Sequence, residues 1–135
     1  MNQFEEATKG VRIRRSSIEG SEIVDDVLAV EEPLEIRLAY RSDKGVPLTR
    51  GISITMRTPG DDTALAAGFL ATEGFVQSPA DLAEITVGPS EDASDLGLSP
   101  NLVRIALNEG VDADLEQLSR HVFTSSSCGV CGKAT

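Results

Sequence analysis

The sequence predicts an α/β domain in which a mixed sheet carries helices packed on it. Apolar and polar residues alternate in Leu34–Arg41, Ile52–Arg57 and Leu102–Leu107, which is the period of a strand buried on one side. At Pro59, between the second and third of these stretches, the apolar spacing changes to that of a helix. Strands interspersed with helices indicate an α/β fold rather than an all-β or all-α fold.

The first 26 residues form a polar segment, and the α/β domain is predicted to span residues 27–124. Within the polar segment, the alternation of Val11 and Ile13 predicts one short edge strand. Small basic clusters are common on the surfaces of soluble proteins. The three closely spaced arginines of the polar segment, Arg12, Arg14 and Arg15, are therefore interpreted as a solvated strand face.

The first two strands of the predicted sheet are joined by a polar loop. Pro33 marks the start of Leu34–Arg41, because proline cannot donate a hydrogen bond to a ladder. The loop contains Gly45 and leads into Ile52–Arg57, which we expect to run antiparallel to the preceding strand.

A helix is predicted from about Asp62 to Glu73. Acidic residues at its start suit the positive end of the helix dipole, and Gly74 is expected to end it. Gly68 weakens this helix unless another backbone packs closely there. The predicted apolar face consists of Leu65, Ala66, Phe69 and Leu70.

Three shorter elements complete the prediction. A second helix begins at Ser78, where a capping serine, a proline in the first turn and an acid three residues later coincide. Residues 85–87 predict a strand before Leu102–Leu107, and a third short helix is predicted over Asp112–Arg120. The sequence contains no internal repeat.

The charge of the chain limits its partners. Its 135 residues include 22 acidic and 12 basic side chains, for a net charge of −10, which repels phosphate backbones and anionic membrane surfaces. Neither nucleic acid nor membrane is therefore expected as a partner. The sequence shows no signal-like start and no apolar run of bilayer length, so we predict a cytoplasmic protein.

Both cysteines of the chain lie in residues 125–135, as Cys128-Gly-Val-Cys131. Cytoplasmic thiols are kept reduced, so a close pair indicates thiol chemistry or metal binding rather than a structural disulfide. Preceding serines and flanking glycines predict a mobile loop that a partner protein can reach. Lys133 would favour the thiolate, which is the nucleophile.

Three chemistries use such a pair: half a zinc site, a dithiol redox couple, and a thiolate that carries sulfur as a persulfide. Structural zinc needs four ligands, and His121 lies outside the usual spacing of paired ligands, so no metal is assigned. His121 is interpreted as a partly exposed residue at a helix end. Alternatively, two copies of the chain could form a homodimer and together supply the four cysteines of a zinc site. Thioredoxin-like pairs follow a first strand, whereas this pair comes last.

Four stretches, in order, resemble the formate dehydrogenase accessory protein family FdhD. They are VEEPLEI at residues 30–36, MRTPGDD at 56–62, AGFLATEG at 67–74 and SCGVCGK at 127–133. The resemblance runs from Asp26 onward. Family members are roughly twice as long as a single domain of this size, so we expect an N-terminal portion only, with the C-terminal half of the family absent.

The resemblance implies a sulfurtransferase that carries sulfur as a cysteine persulfide. The sulfur would come from a cysteine desulfurase and go to the molybdenum bis-molybdopterin guanine dinucleotide cofactor of formate dehydrogenase, needed for that enzyme's activity. The partners would be the desulfurase and the dehydrogenase catalytic subunit, with the molybdenum cofactor as substrate and no permanently bound cofactor. The catalytic residues would be Cys128, which carries the persulfide, and Cys131. The portion present here need not be active alone.

The resemblance also implies a fold similar to that of cytidine deaminases. The deaminase zinc signature is absent, because no His-x-Glu occurs and no proline precedes Cys128. Two other functions stay open at this point. One is a chaperone that binds the cofactor or the apo-enzyme without sulfur transfer, and the other is a dithiol oxidoreductase.

Arg57 is the candidate cofactor-binding residue, and the turn that it begins has two interpretations. Its guanidinium and the backbone N–H groups of residues 58–61 could meet a cofactor phosphate. Alternatively, Arg57-Thr-Pro-Gly-Asp61 is a tight strand-to-helix connection, which we favour because each residue type already has a local role in a turn.

Overall fold

A computed structural model describes residues 7–88 and 101–113. These residues contain one α-helix, α1 (Asp62–Thr72), and a 3₁₀ turn (Pro79–Asp81). The strands are β1 (Thr8–Ser17), β2 (Gly20–Ala29), β3 (Glu32–Arg41), β4 (Pro47–Arg57), β5 (Leu82–Val87) and β6 (Leu102–Leu107). The described residues divide into two compact units, one made of residues 7–32 and 57–60 and the other of residues 33–56, 61–88 and 101–113.

The first unit is built on a long β-hairpin. β1 and β2 pair antiparallel in unbroken register from Thr8 opposite Ala29 to Ser17 opposite Gly20. The sequence predicted one short strand here, and the structure instead has two strands of 10 residues each. Most residues of the ribbon are exposed on both faces, so no apolar periodicity marks it in the sequence. The predicted boundary between residues 26 and 27 falls within β2.

The second unit is a mixed sheet with the strand order β4-β3-β6-β5. β3 pairs parallel with β6, and β5 pairs antiparallel with β6. The three strands predicted with most support are confirmed, since Leu34–Arg41 lies within β3, Ile52–Arg57 within β4 and Leu102–Leu107 is β6. The predicted mixed α/β architecture is therefore confirmed for the described residues.

The α1 helix confirms the helix predicted after Pro59. It packs on β5 and β6, burying Ala66 and Leu70, whereas Leu65 is 41% exposed, so its apolar face is narrower than predicted. After its last turn, the Phe75 N–H donates to the Leu70 carbonyl (2.9 Å) and the Gly74 N–H to the Ala71 carbonyl (3.2 Å). Together with the positive φ of Gly74, this pattern is a Schellman motif that ends the helix.

The second predicted helix is only the 3₁₀ turn Pro79–Asp81. The Asp81 carboxylate accepts hydrogen bonds from the backbone N–H groups of Gln77 (2.7 Å) and Ser78 (3.1 Å), as a capping acid does. The helix is not extended because β5 begins at Leu82 and pairs with β6. The third predicted helix, Asp112–Arg120, lies almost entirely outside the described residues.

The core lies between α1 and the inner face of the sheet. Alternate residues of β3 and β6 supply most of it, and Phe75 and Val76 close it after α1. The largest fully buried side chains are Leu34, Ile36, Leu38, Ile52, Leu70, Leu102, Val103 and Ile105. In the described part of the chain, no helix has the length and hydropathy needed to cross a membrane.

We expect Gly68→Ala to stabilise the protein. Gly68 is exposed within α1, its φ is not positive, and an added Cβ would meet no atom within 4 Å. The substitution should raise the free energy of unfolding by about 0.5–1 kcal/mol, measured by urea denaturation. As the matched control, Gly74→Ala should lower it by about 1 kcal/mol, because Gly74 has a φ of +79°. A stability loss in Gly68→Ala would contradict the open environment described for this position.

Leu70→Ala should lower the free energy of unfolding by about 2–5 kcal/mol, because it leaves a cavity between α1 and the sheet. Leu70 has no solvent exposure. Leu65→Ala on the same helix is the control and should cost much less, since Leu65 is partly exposed. Equal losses in the two variants would mean that α1 does not pack on the sheet through Leu70.

Candidate functional site

The candidate cofactor-binding residue, Arg57, is the last residue of β4 and is 9% exposed. Its Nη1 donates to the backbone carbonyl of Glu32 at 3.4 Å and lies 3.8 Å from the Glu32 carboxylate. Both residues belong to the first compact unit. Arg57 therefore ties the turn after β4 to the start of β3.

The turn after Arg57 connects β4 to α1. Gly60 adopts a φ of +147°, which residues with a side chain rarely adopt, and Pro59 precedes it. The Leu65 N–H donates to the Asp61 carbonyl at 3.0 Å, the first hydrogen bond of the helix, and Asp62 lies in its first turn. These contacts support the interpretation of the turn as a tight connection. The assignment of Arg57 to cofactor binding stays a prediction.

Cys128, Cys131 and His121 lie outside the described residues, so their assignments also stay predictions. The predicted segment 125–135 lies there as well. Within residues 7–88 and 101–113, no group of three or more His, Cys, Asp or Glu side chains is arranged to hold a metal ion.

A crevice that the sequence did not predict lies where the parallel strands β3 and β6 end. It has a volume of about 240 Å³ and is lined by Arg41, Ser42, Asp43 and Leu107–Asp112. Arg41 donates to the Gly45 carbonyl at 2.9 Å and lies 3.8 Å from the Glu109 carboxylate. Ligands of α/β sheets commonly bind at the carboxyl ends of parallel strands. Here three acids face one arginine, which disfavours an anionic ligand.

The sequence also did not predict an ion pair on β3. Glu35 is only 4% exposed, and its two carboxylate oxygens accept from Arg37 Nε (2.8 Å) and Nη2 (3.2 Å). Ala39, on the same side of the strand, is buried too. β3 was predicted to be buried on one side, and this prediction is wrong, because the residues of both its faces are buried along the middle of the strand. The Glu-x-Arg spacing, which places two opposite charges on one strand face, is the signal that could have found the pair.

The family profile of FdhD/NarQ matches residues 29–135. The chain belongs to the FdhD/NarQ family. This match includes Arg57 and both cysteines, as the resemblance of the four short stretches predicted.

Relatives of the FdhD family support the assignment over nearly the whole chain. A protein of Streptomyces coelicolor named sulfur carrier protein FdhD is 43% identical over 137 residues, covering 100% of this chain and 43% of its own length. A protein of Mycobacterium tuberculosis with the same name is 40% identical over 131 residues, covering 96% of this chain and 44% of its own. The chain thus spans less than half the length of these relatives.

The fold also has a neighbour among solved structures. A crystal structure of a chain designated a formate dehydrogenase accessory protein, from Desulfotalea psychrophila, superposes with a TM-score of 0.56 at 22% identity. The similarity covers 75% of this chain and 36% of that one. At this identity the superposition supports the fold and not a shared activity.

We expect Arg57→Gln to lower the free energy of unfolding by about 1–3 kcal/mol, because a buried guanidinium and its hydrogen bonds are lost. Urea denaturation measures the change. Arg12→Gln is the control, since Arg12 and its partner Asp25 have side chains that are 76% and 87% exposed, and it should change stability by less than about 0.5 kcal/mol. Wild-type stability of Arg57→Gln would refute the structural role and leave ligand binding as the reason for this arginine.

Proposed function

We propose that this chain is part of a sulfurtransferase that carries sulfur as a persulfide on Cys128. In this proposal, a cysteine desulfurase supplies the sulfur, and the molybdenum bis-molybdopterin guanine dinucleotide cofactor of formate dehydrogenase receives it. The observation that carries the proposal is the family match over residues 29–135, which includes Cys128-Gly-Val-Cys131, together with relatives named sulfur carrier proteins.

Loading is a thiol–persulfide exchange. The Cys128 thiolate attacks the outer sulfur of the desulfurase persulfide, a new S–S bond forms, and the old S–S bond breaks as the desulfurase thiolate leaves. Cys128 then carries one additional sulfur atom. The transferred sulfur keeps its oxidation state, so this step needs no oxidant or reductant.

Release proceeds through the second thiol. The Cys131 thiolate attacks the inner sulfur of the Cys128 persulfide, a Cys128–Cys131 disulfide forms, and hydrosulfide leaves toward the molybdenum centre. The two electrons that reduce the carried sulfur come from the two thiols. A cellular thiol reductant must then reduce the disulfide before another cycle. This route explains why two cysteines are spaced three residues apart.

The proposal includes a cytoplasmic location and a cytidine deaminase-like fold. Cytoplasmic thiols stay reduced, as the loading step requires. The mixed sheet with α1 on one face is compatible with that fold class. The sheet and its core would form the rigid part of the carrier, with the cysteine segment presented to partners. The molybdenum cofactor is a substrate that the carrier meets only during delivery.

Cys128→Ser should abolish persulfide loading, because the attacking thiolate is lost. The measurement is intact mass, for the gain of one sulfur atom, after incubation with a cysteine desulfurase and cysteine. Cys131→Ser should still load and should accumulate the persulfide, because release is impaired. The full-length Streptomyces coelicolor relative serves as the positive control.

Three outcomes would contradict the proposed roles. Sulfur gained at Cys131 in the Cys128→Ser variant would exchange the roles of the two cysteines. No gain in wild type, while the full-length relative gains sulfur under the same conditions, would mean that this chain does not load sulfur by itself. Zinc retained by unmodified protein, with both thiols resistant to alkylation, would favour a binding chaperone instead.

A further inference from the structure

The tip of the β1–β2 hairpin carries a basic motif that the proposed function does not use. It reads Arg14-Arg-Ser-Ser17-Ile18, which is the end of β1 and the first residue of the turn. The hairpin is exposed on both faces, and the two arginines and two serines of the motif are all exposed. The motif is therefore open to solvent over its whole length.

The isoleucine of this motif has no role in folding. Ile18 and Glu19 form the turn that joins β1 to β2, where asparagine, aspartate or glycine is the usual choice. The Ile18 side chain is fully exposed, so it adds nothing to a core. A single exposed apolar residue is common on protein surfaces, and Ile18 is significant only because of the residues that precede it.

The two arginines of the motif are only weakly engaged by the hairpin. Arg15 lies opposite Glu22, and its Nη2 is 3.9 Å from the Asp26 carboxylate in a pair whose side chains are 61% and 41% exposed. Arg14 lies opposite the uncharged Ile23. Because exposed ion pairs contribute little to stability, a partner with acidic side chains can take up both guanidinium groups at small cost.

The two serines of the motif are not equivalent. Ser16 Oγ lies 2.9 Å from Ser21 Oγ, so this hydroxyl is hydrogen-bonded across the hairpin. Ser17 Oγ accepts from the Glu19 N–H at 3.1 Å, which leaves its own hydrogen for donation to a base. Ser17 pairs with Gly20 at the end of the ladder, where local opening costs least. Of the two hydroxyl groups, that of Ser17 is better placed to react.

We infer that Ser17 is a phosphorylation site for a serine/threonine kinase whose substrate groove is acidic. Such kinases select arginine two and three residues before the acceptor and an apolar residue directly after it, because carboxylates bind the guanidinium groups and an apolar pocket takes the following side chain. Arg14, Arg15 and Ile18 hold these three positions. Successive side chains of a strand project to opposite sides, so β1 presents the two arginines as separate contacts.

The reaction is a phosphoryl transfer from ATP bound to the kinase. Ser17 Oγ attacks the γ-phosphorus, an O–P bond forms, the bond to the β,γ-bridging oxygen breaks, and ADP leaves. The hydroxyl proton passes to the catalytic carboxylate of the kinase. Residues 14–22 contain two arginines and two glutamates, so the phosphate changes their net charge from zero to about −2. A change of this size alters the binding of charged partners at the hairpin tip.

The test incubates the intact chain with magnesium, ATP and the catalytic subunit of cyclic AMP-dependent protein kinase, an enzyme with this substrate preference. Intact mass should show one phosphate per chain, and fragmentation should map the phosphate to Ser17. Ser17→Ala should abolish phosphorylation, whereas Ser16→Ala should retain it. A synthetic peptide of residues 10–22 shows that the kinase is active in the assay.

Arginine variants separate specific recognition from the general charge of the hairpin. Arg14→Gln and Arg15→Gln should each lower kcat/KM for phosphorylation by about tenfold or more, because each loses one guanidinium–carboxylate contact with the kinase. Arg12→Gln is the matched control, since Arg12 is a 76% exposed arginine of the same strand that lies outside the motif, and it should leave kcat/KM unchanged. These positions are exposed, so the variants should fold as wild type does.

Three results would overturn the inference. The first is an intact chain that gains no phosphate while the peptide does, which would mean that the folded hairpin withholds Ser17 from the kinase. The second is a phosphate that maps to Ser16. The third is an equal loss of kcat/KM in Arg12→Gln and Arg14→Gln. The inference does not depend on sulfur transfer, so failure of Cys128 loading would leave it unaffected.

Discussion

Burial of β3 on both faces organises the second compact unit. As a central strand it has β4 on one side and β6 on the other, and only its two ends are exposed. Its apolar residues form the middle of the core, and each fully buried aliphatic side chain contributes about 1.5–3 kcal/mol. Every other element of the second unit is held directly or indirectly against this strand.

Parallel pairing of β3 with β6 explains why the chain between them is long. Parallel neighbours require a crossover connection, and the segment between these strands contains β4, α1 and β5. Because α1 lies in this crossover, it covers one face of the sheet and packs on β5 and β6. The Schellman motif at Gly74 then turns the chain so that Phe75 and Val76 enter the core.

Two arginines in the described residues illustrate different uses of the same side chain. Arg57 donates a hydrogen bond to the backbone carbonyl of Glu32 and so holds the turn after β4 in place. Arg37 is neutralised by a carboxylate from its own strand. In both cases burial makes the partner necessary, because a charged group without a partner is costly away from water. Burial of an arginine is thus by itself a poor sign of cofactor binding in this fold.

Elements whose signals are local could be predicted from the amino-acid sequence. The alternation in β3, β4 and β6 and the change of period after Pro59 depend on side-chain patterns within one element, and Gly74 ends α1 through its own backbone freedom. Four short motifs, including that of Cys128 and Cys131, also sufficed to indicate the family, which the profile match over residues 29–135 confirms.

The order of the strands in the sheet and the burial of polar groups depend on contacts between distant parts of the chain, so they could not be predicted from local patterns. The hairpin of β1 and β2 was not predicted, because strands that are exposed on both faces show no alternation of apolar and polar residues. The burial of the Glu35–Arg37 pair depends on the register between β3 and β6. That register joins residues more than 60 positions apart in the sequence. Hydrogen bonds between such distant strands produce no periodic pattern in the sequence of either strand.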